Sequence, residues 1–375
     1  MTNHDLTEAD VNRRRFLAGA GAVGAVALAG CTGDEADDGD AQSSIGQIGS
    51  GREGRGLPGG TPISEMPDLS GELTVYSGRN EFLVGPLVEY IDEQYPDLDL
   101  TVRYASSTDH VNAIINEGEG SPADVFYSVN AGSLGALASE GRTQAVPDDV
   151  AELVREEFRT DQWIGTSGRA RTVPYDSGEY DAEDVPSDIM AFPEEFDGDL
   201  AWAPSYGSCQ AFVTAMRILE GDEATLEWLE AVVASGATAY NNEFRVCEEI
   251  ADGSVDAGFT NHYYIQRVLD GSPNATIDTA FTEGDAGAVF NVAGAAVTDT
   301  AADATLAGNF VRHLLSAEAQ DYFARSTFEY PLIPDVEPIG DLPSIDELDV
   351  PDIDLTELSD LEATVDLMRE AGVDV

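Results

Sequence analysis

Between Leu73 and Tyr127 the apolar residues switch repeatedly between the period of a strand and that of a helix, and this alternation restricts the fold more than any other feature. Leu73-Thr74-Val75-Tyr76 is a strand-like run ending in Ser77-Gly78. Leu83, Leu87 and Ile91 recur at i, i+4 spacing, one face of a helix that Pro96 closes. Leu98, Leu100, Val102 and Tyr104 then alternate with polar residues, as in a half-buried strand. A second helix is predicted around Val111 to Glu117, leading to the apolar run Ala123-Asp124-Val125-Phe126-Tyr127. The rhythm predicts an α/β fold with a parallel-rich sheet. In such sheets ligands bind beyond the carboxyl ends of the strands. The candidate ligand loops are therefore Ser77 to Glu81, Ser128 to Ser133 and the turn around Ser205 to Ser208.

The middle of the chain repeats the pattern with Val173-Pro174-Tyr175, Asp199 to Ala203 and the run to Tyr263-Tyr264. Phe310, Leu314, Ala317 and Phe323 predict a helix, followed by an extended Glu329-Tyr330-Pro331-Leu332. Leu358, Leu361, Val365 and Met368 fall at helical spacing in an acidic, proline-punctuated end, which predicts a terminal helix packed on the body. No internal repeat is visible.

Ahead of the folded part, Arg13-Arg14-Arg15-Phe16-Leu17 precedes a short Gly- and Ala-rich apolar run, the address of twin-arginine (Tat) export. Phe16 to Gly30 is too short to span a bilayer. Leu28-Ala29-Gly30-Cys31 reads as a lipoprotein cleavage box, so residues 1–30 are expected to be removed and Cys31 to carry lipid. A diacylated Cys31 would anchor the protein to the outer face of the cytoplasmic membrane. Gly19 to Gly24 matches the GxGxxG fingerprint, but inside an export signal it lacks the strand and acidic residue that the dinucleotide site needs. Residues 31–70, rich in Gly, Asp and Ser, are expected to be a flexible tether.

Charge narrows the chemistry. There are 72 acidic residues against 18 basic ones, every one of the latter arginine. The net charge is −54, and removal of residues 1–30 leaves it unchanged, because Asp5, Glu8 and Asp10 offset three arginines. Such self-repulsion destabilises a compact state in dilute buffer, whereas in 1 M salt the Debye length is about 3 Å and screening is nearly complete. With 42% hydrophobic residues a core is affordable, so the composition reads as a globular protein adapted to high salt. Nucleic acid is excluded as a partner by the same surface. Without lysine neither a P-loop nor a Schiff-base enzyme can be built. His4, His110, His262 and His313 make no HExxH pattern and there is no GxSxG elbow, which argues against a hydrolase. Cys209 and Cys247 are either one disulfide of an exported protein or two small buried apolar residues. Asn274-Ala275-Thr276 fits the N-glycosylation pattern, a motif common by chance.

From Gly71 onward, the ordered segments TVYSGRNE (74–81), SPADVFYSVNAGSL (121–134), SGRARTVPYD (167–176), FTNHYYIQRVL (259–269), GAAV (294–297) and FEYPL (328–332) resemble the ferric-ion-binding proteins of iron ABC transporters. The resemblance implies a bilobal periplasmic-binding-protein-like fold. Lobe 1 would be residues 71–170 plus 284–330 and lobe 2 residues 171–283 plus 331–375, with crossings near 171–175 and 279–289. It implies Fe3+ as cargo, held by phenolates of Tyr175, Tyr263 and Tyr264. The chain departs from members that supply a histidine and a glutamate, since those positions here are Asn80 and Val129. Carbonate or another small anion would complete the coordination, held by Arg79 with Ser205, Gly207, Ser208 and Asn261. Phenolates suit a hard trivalent ion, and metal binding drives a phenol of pKa near 10 to deprotonate. Tyr127 and His262 are expected to be structural. The partners implied are a membrane permease and its separate ATPase, with the receptor itself a monomer and not an enzyme. On the same fold, thiamine, a polyamine, or an oxyanion such as sulfate, phosphate or an organophosphonate is the alternative cargo, because an aromatic pair also stacks on rings and cations. A secreted hydrolase is the distant one.

Overall fold

The computed structural model describes residues 59–359 and 361–375. Cys31, the export signal and the tether as far as residue 58 lie outside the described residues. The last part of the expected tether is packed, because Ile63, Met66 and Leu69 are buried. The Ile63 amide donates to Glu318 Oε2 at 2.9 Å, and the Ala317 amide to the Thr61 carbonyl at 2.8 Å. Three apolar residues at 3-residue spacing in a polar stretch are the signal for this.

The chain then runs β1 (Gly71–Ser77), α1 (Glu81–Gln94), β2 (Leu98–Tyr104), α2 (Ser107–Glu117), β3 (Val125–Ser128) and α3 (Ala131–Ser139), the predicted alternation. Side-chain caps start two of these helices. Ser106 accepts from the Asp109 amide at 3.0 Å, and Asn130 Oδ1 from the Ser133 amide at 2.8 Å. After a single turn α4 (Asp148–Ala151) comes β4 (Ile164–Asp176), buried along its whole length apart from Arg169. The single turn α5 (Phe192–Glu195) precedes β5 (Leu200–Trp202), α6 (Gly207–Glu220), α7 (Asp222–Ala234), β6 (Thr238–Ala239) and α8 (Glu243–Ala251). Next are β7 (Ala257–Gly258), β8 (Thr260–Asn261), α9 (His262–Gly271), β9 (Ile277–Ala280) and β10 (Phe290–Val297). The chain closes with α10 (Ala304–His313), α11 (Ala317–Tyr322), β11 (Tyr330–Pro331) and α12 (Glu362–Glu370). The predicted helix through Phe310 to Phe323 is thus two helices, divided where Ser316 caps α11.

Strand order is β2-β1-β3-β10-β4-β7-β5-β6. β1 pairs in parallel with β2 and β3, β10 is antiparallel to β3 and β4, and β5 is parallel to β6 and β7. β4 is shared. Its first half pairs with β10 up to Ala170 and with β11, while Arg171 and Thr172 pair with β8 and the remainder with β9 and β7. Gly168 in the first half leaves room for Phe290, since a Cβ there would lie 2.1 Å from Phe290 Cζ. Cys209 and Cys247 are free and buried, which selects the packing role over the disulfide. Burial pushes the Cys209 thiol up to about 12.

Candidate functional site

The carboxyl ends of β1, β3 and β5 open onto one cavity of about 440 Å³. Its wall includes Asn80, Val129, Asn130, Gly207 and Ser208 from the three predicted loops. More of the wall comes from the junction of β8 with α9. Tyr263 and Tyr264 occupy the first turn of α9, with their ring centroids 4.3 Å apart. A third tyrosine joins them. Tyr206, the residue before α6, places its hydroxyl 2.8 Å from the Tyr264 hydroxyl. Tyr206, Tyr263 and Tyr264 all line the cavity.

Tyr175 is not brought there. On β4 it pairs with Ala257 and Asp278, and it is not part of the cavity wall. Arg171 is the last β4 residue in that wall, and four further residues of strand carry Tyr175 roughly 13 Å onward. Burial and the carboxylates of Asp278, Asp181 and Glu183 raise its pKa. Those neighbours oppose ionisation of a free phenol.

Four arginines line the cavity: Arg79, Arg169, Arg171 and Arg267. Arg79 is 1% exposed and donates to Glu329 Oε2 at 2.6 Å and to Ser167 Oγ at 3.1 Å. Burial works against its charge, but Glu329 overrides this and its pKa is raised. Glu329 answers in kind, since burial favours its neutral form but Arg79 and Arg169 hold its pKa below the ordinary value. Arg171 pairs with the fully buried Glu243 and donates to the Phe259 carbonyl. Arg169 donates to the Val129 carbonyl. Arg267 lies over both tyrosines of α9, 5.0 Å from the Tyr263 centroid and 5.5 Å from that of Tyr264. The Nε atoms of Arg79, Arg169 and Arg171 and the Ser208 hydroxyl are buried without a hydrogen-bond partner. Among the described residues, Glu329 is the one carboxylate in the wall. In a chain of net charge −54, the cavity is a positive enclave.

Both α9 phenols resist ionisation while nothing is bound. Burial raises Tyr263, with Arg169 opposing it, and burial raises Tyr264 with help from Tyr263, Glu243 and Tyr206. Asn261 lines the cavity and its amide nitrogen lies 3.4 Å from the Tyr263 hydroxyl. Ser205 is exposed, reaches only the Asp374 carbonyl at 3.4 Å, and is outside the wall. His262 accepts from the Ala170 amide at 3.2 Å and donates from Nε2 to the Phe328 carbonyl at 2.8 Å, a fully buried structural role. Burial lowers its pKa to about 4. Phe328 holds φ 61°, uncommon for a residue with a side chain, and the turn it makes aims Glu329 at Arg79. Tyr127, with no hydroxyl partner, is pushed up to about 12 by burial.

Among the described residues, no group of three His, Cys, Asp or Glu side chains is placed to hold a metal ion. The hard oxygen donors that converge are phenols. Tyr206, Arg169, Arg171 and Arg267 were not singled out from sequence. Tyr206 lies inside a predicted ligand loop, whereas the arginines are gathered from β4 and from the second turn of α9.

The family model described as bacterial extracellular solute-binding protein matches residues 87–347. The major ferric iron-binding protein of Neisseria meningitidis is 26% identical over 310 residues, covering 80% of this chain and 93% of its own. Iron uptake protein A1 of Synechocystis is 26% identical over 324 residues, covering 83% and 90%. The crystal structure of iron-bound HitA from Pseudomonas aeruginosa superposes with a TM-score of 0.71 at 25% identity, covering 82% of this chain and all of that one. The mixed sheet and its helices match the bilobal fold of these receptors.

Proposed function

The chain belongs to the bacterial extracellular solute-binding protein family, and from that premise we propose that it is an exported receptor capturing ferric iron for an ABC importer. The observation that carries this is the convergence of Tyr206, Tyr263 and Tyr264 in an arginine-lined cavity, with two hydroxyls 2.8 Å apart. Three phenolates neutralise a trivalent cation, and the relatives carry ferric iron in their names. Tyr206 takes the place first given to Tyr175. The arginines have no use for a bare cation. They suit an anion that fills the remaining coordination positions, held by charge-assisted hydrogen bonds from Arg267 and from the unpartnered Nε atoms. Gly207, Ser208 and Asn261 border that space. Closure of the two lobes about the metal, delivery to a permease with a separate ATPase, and a monomer anchored through lipid on Cys31 complete the reading.

Ferric titration of the protein beginning at Cys31, in molar salt, tests it. A phenolate-to-iron charge-transfer band saturating at one equivalent is expected, weakened in Tyr264→Phe and unchanged in Tyr175→Phe. The second reading is an oxyanion as the cargo itself, favoured by the four arginines. It predicts no band and thermal stabilisation by phosphate or sulfate alone. A polyamine is disfavoured by the same charges.

A further inference from the structure

The last part of the chain, beyond the stretch matched by the family model, reaches the cavity. A single 3-10 segment, Leu355–Ser359, packs on both α3 and α6, and α12 packs on α6 and α7. Asp354 starts the segment, accepting from the Thr356 amide at 2.9 Å and its hydroxyl at 2.7 Å. Leu355 and Leu358 are buried, and Leu358 with Leu361 lines the cavity. The seat on α3 is tight, since a Cβ on Gly135 would lie 2.6 Å from Thr356 Cγ2. The other end is fastened differently. Thr364 Oγ1 lies 2.7 Å from Thr214 Oγ1 and accepts from Arg217 Nη1 at 3.0 Å, both on α6, and Met368 is fully buried.

The helices so joined follow β3 and β5, whose loops both line the cavity. We propose that residues 355–358 are a clasp across the cavity, and that their departure from α3, with α12 remaining on α6, governs how fast the contents exchange. A segment bridging α3 and α6 opposes any parting of the two helices. The α12 end is fastened by the Thr364 hydrogen bonds and the buried Met368, so the α3 seat, closed over Gly135, is the end taken to part. The proposal rests on the reading that this cavity holds the cargo.

Gly135→Ala is the wedge that tests it. Alanine favours the helix by about 0.5–1 kcal/mol over glycine, so α3 is not weakened, while the new methyl occupies the place of Thr356. Thr356→Gly in the same chain restores the room. Amide hydrogen exchange reports whether 355–358 has lifted, and if alanine is accommodated Gly135→Leu enforces the displacement. Two rates are then compared: ferric release to excess chelator, and nitration of Tyr206 by tetranitromethane in the cargo-free protein, mapped by mass spectrometry. Both are expected to rise roughly tenfold in the wedge variant and to return in the double variant, since one added methyl in a packed seat changes a barrier by about that factor. Unchanged rates with 355–358 demonstrably lifted would overturn the clasp. If the unaltered protein binds no ferric ion, the iron reading fails, and the nitration rates alone decide the clasp.

Discussion

A phenol hydroxyl bound to metal gives up a proton, and here burial makes that proton hard to remove beforehand. Ferric affinity should therefore rise with pH, by about tenfold per unit for each phenol that ionises on binding. Competition titrations at three pH values around neutrality check the slope, and a flat profile would mean that the phenols are not ligands. The Arg79–Glu329 pair makes a separate claim on stability. Glu329→Gln leaves a guanidinium 1% exposed without its carboxylate, which should cost about 3–5 kcal/mol in denaturant unfolding. His262 sets a pH limit. The unfolded chain binds a proton near pH 6.5, whereas the native ring refuses it down to about 4. Its contribution is thus fully present above about 6.5 and lost progressively as pH falls to 4, up to about 3 kcal/mol. His262→Gln should flatten the acid limb of a stability-against-pH curve.

The early strands and helices were legible because each carries its own period: the alternation in β2 and the spacing of Leu83, Leu87 and Ile91 in α1 need no knowledge of the rest. The ligand loops followed from strand order alone. What stayed hidden depends on contacts distant in sequence. β4 is buried on both faces, so nothing local announces that its halves serve different partners. The third tyrosine is a matter of where α6 begins relative to α9, and it takes the helix turn at Tyr263-Tyr264 to bring Arg267 over both rings. This strand yields a test at this scale. Gly168→Val drives methyl groups into Phe290 and Leu332 and should destabilise by about 1–3 kcal/mol, read as a lowered unfolding midpoint.

For the whole molecule, charge outside and charge inside have opposite signs. Raising NaCl from 0.1 to 2 M should lift the melting temperature by screening the −54 exterior. The buried pairs of Arg79 and Arg171 are shielded from that salt, so Glu329→Gln should lower the melting temperature while keeping the salt response. The sharing of β4 has one more consequence. Strands on either side of β4 pair with this one continuous strand, so cutting it exposes both groups. A break between Ala170 and Arg171 would leave β3 and the first half of β4 on one fragment and their partner β10, with β8 and β9, on the other, each with a raw hydrogen-bonding edge inviting aggregation. For protein engineering the molecule is indivisible at its middle, and any split reporter or permuted version must be opened elsewhere.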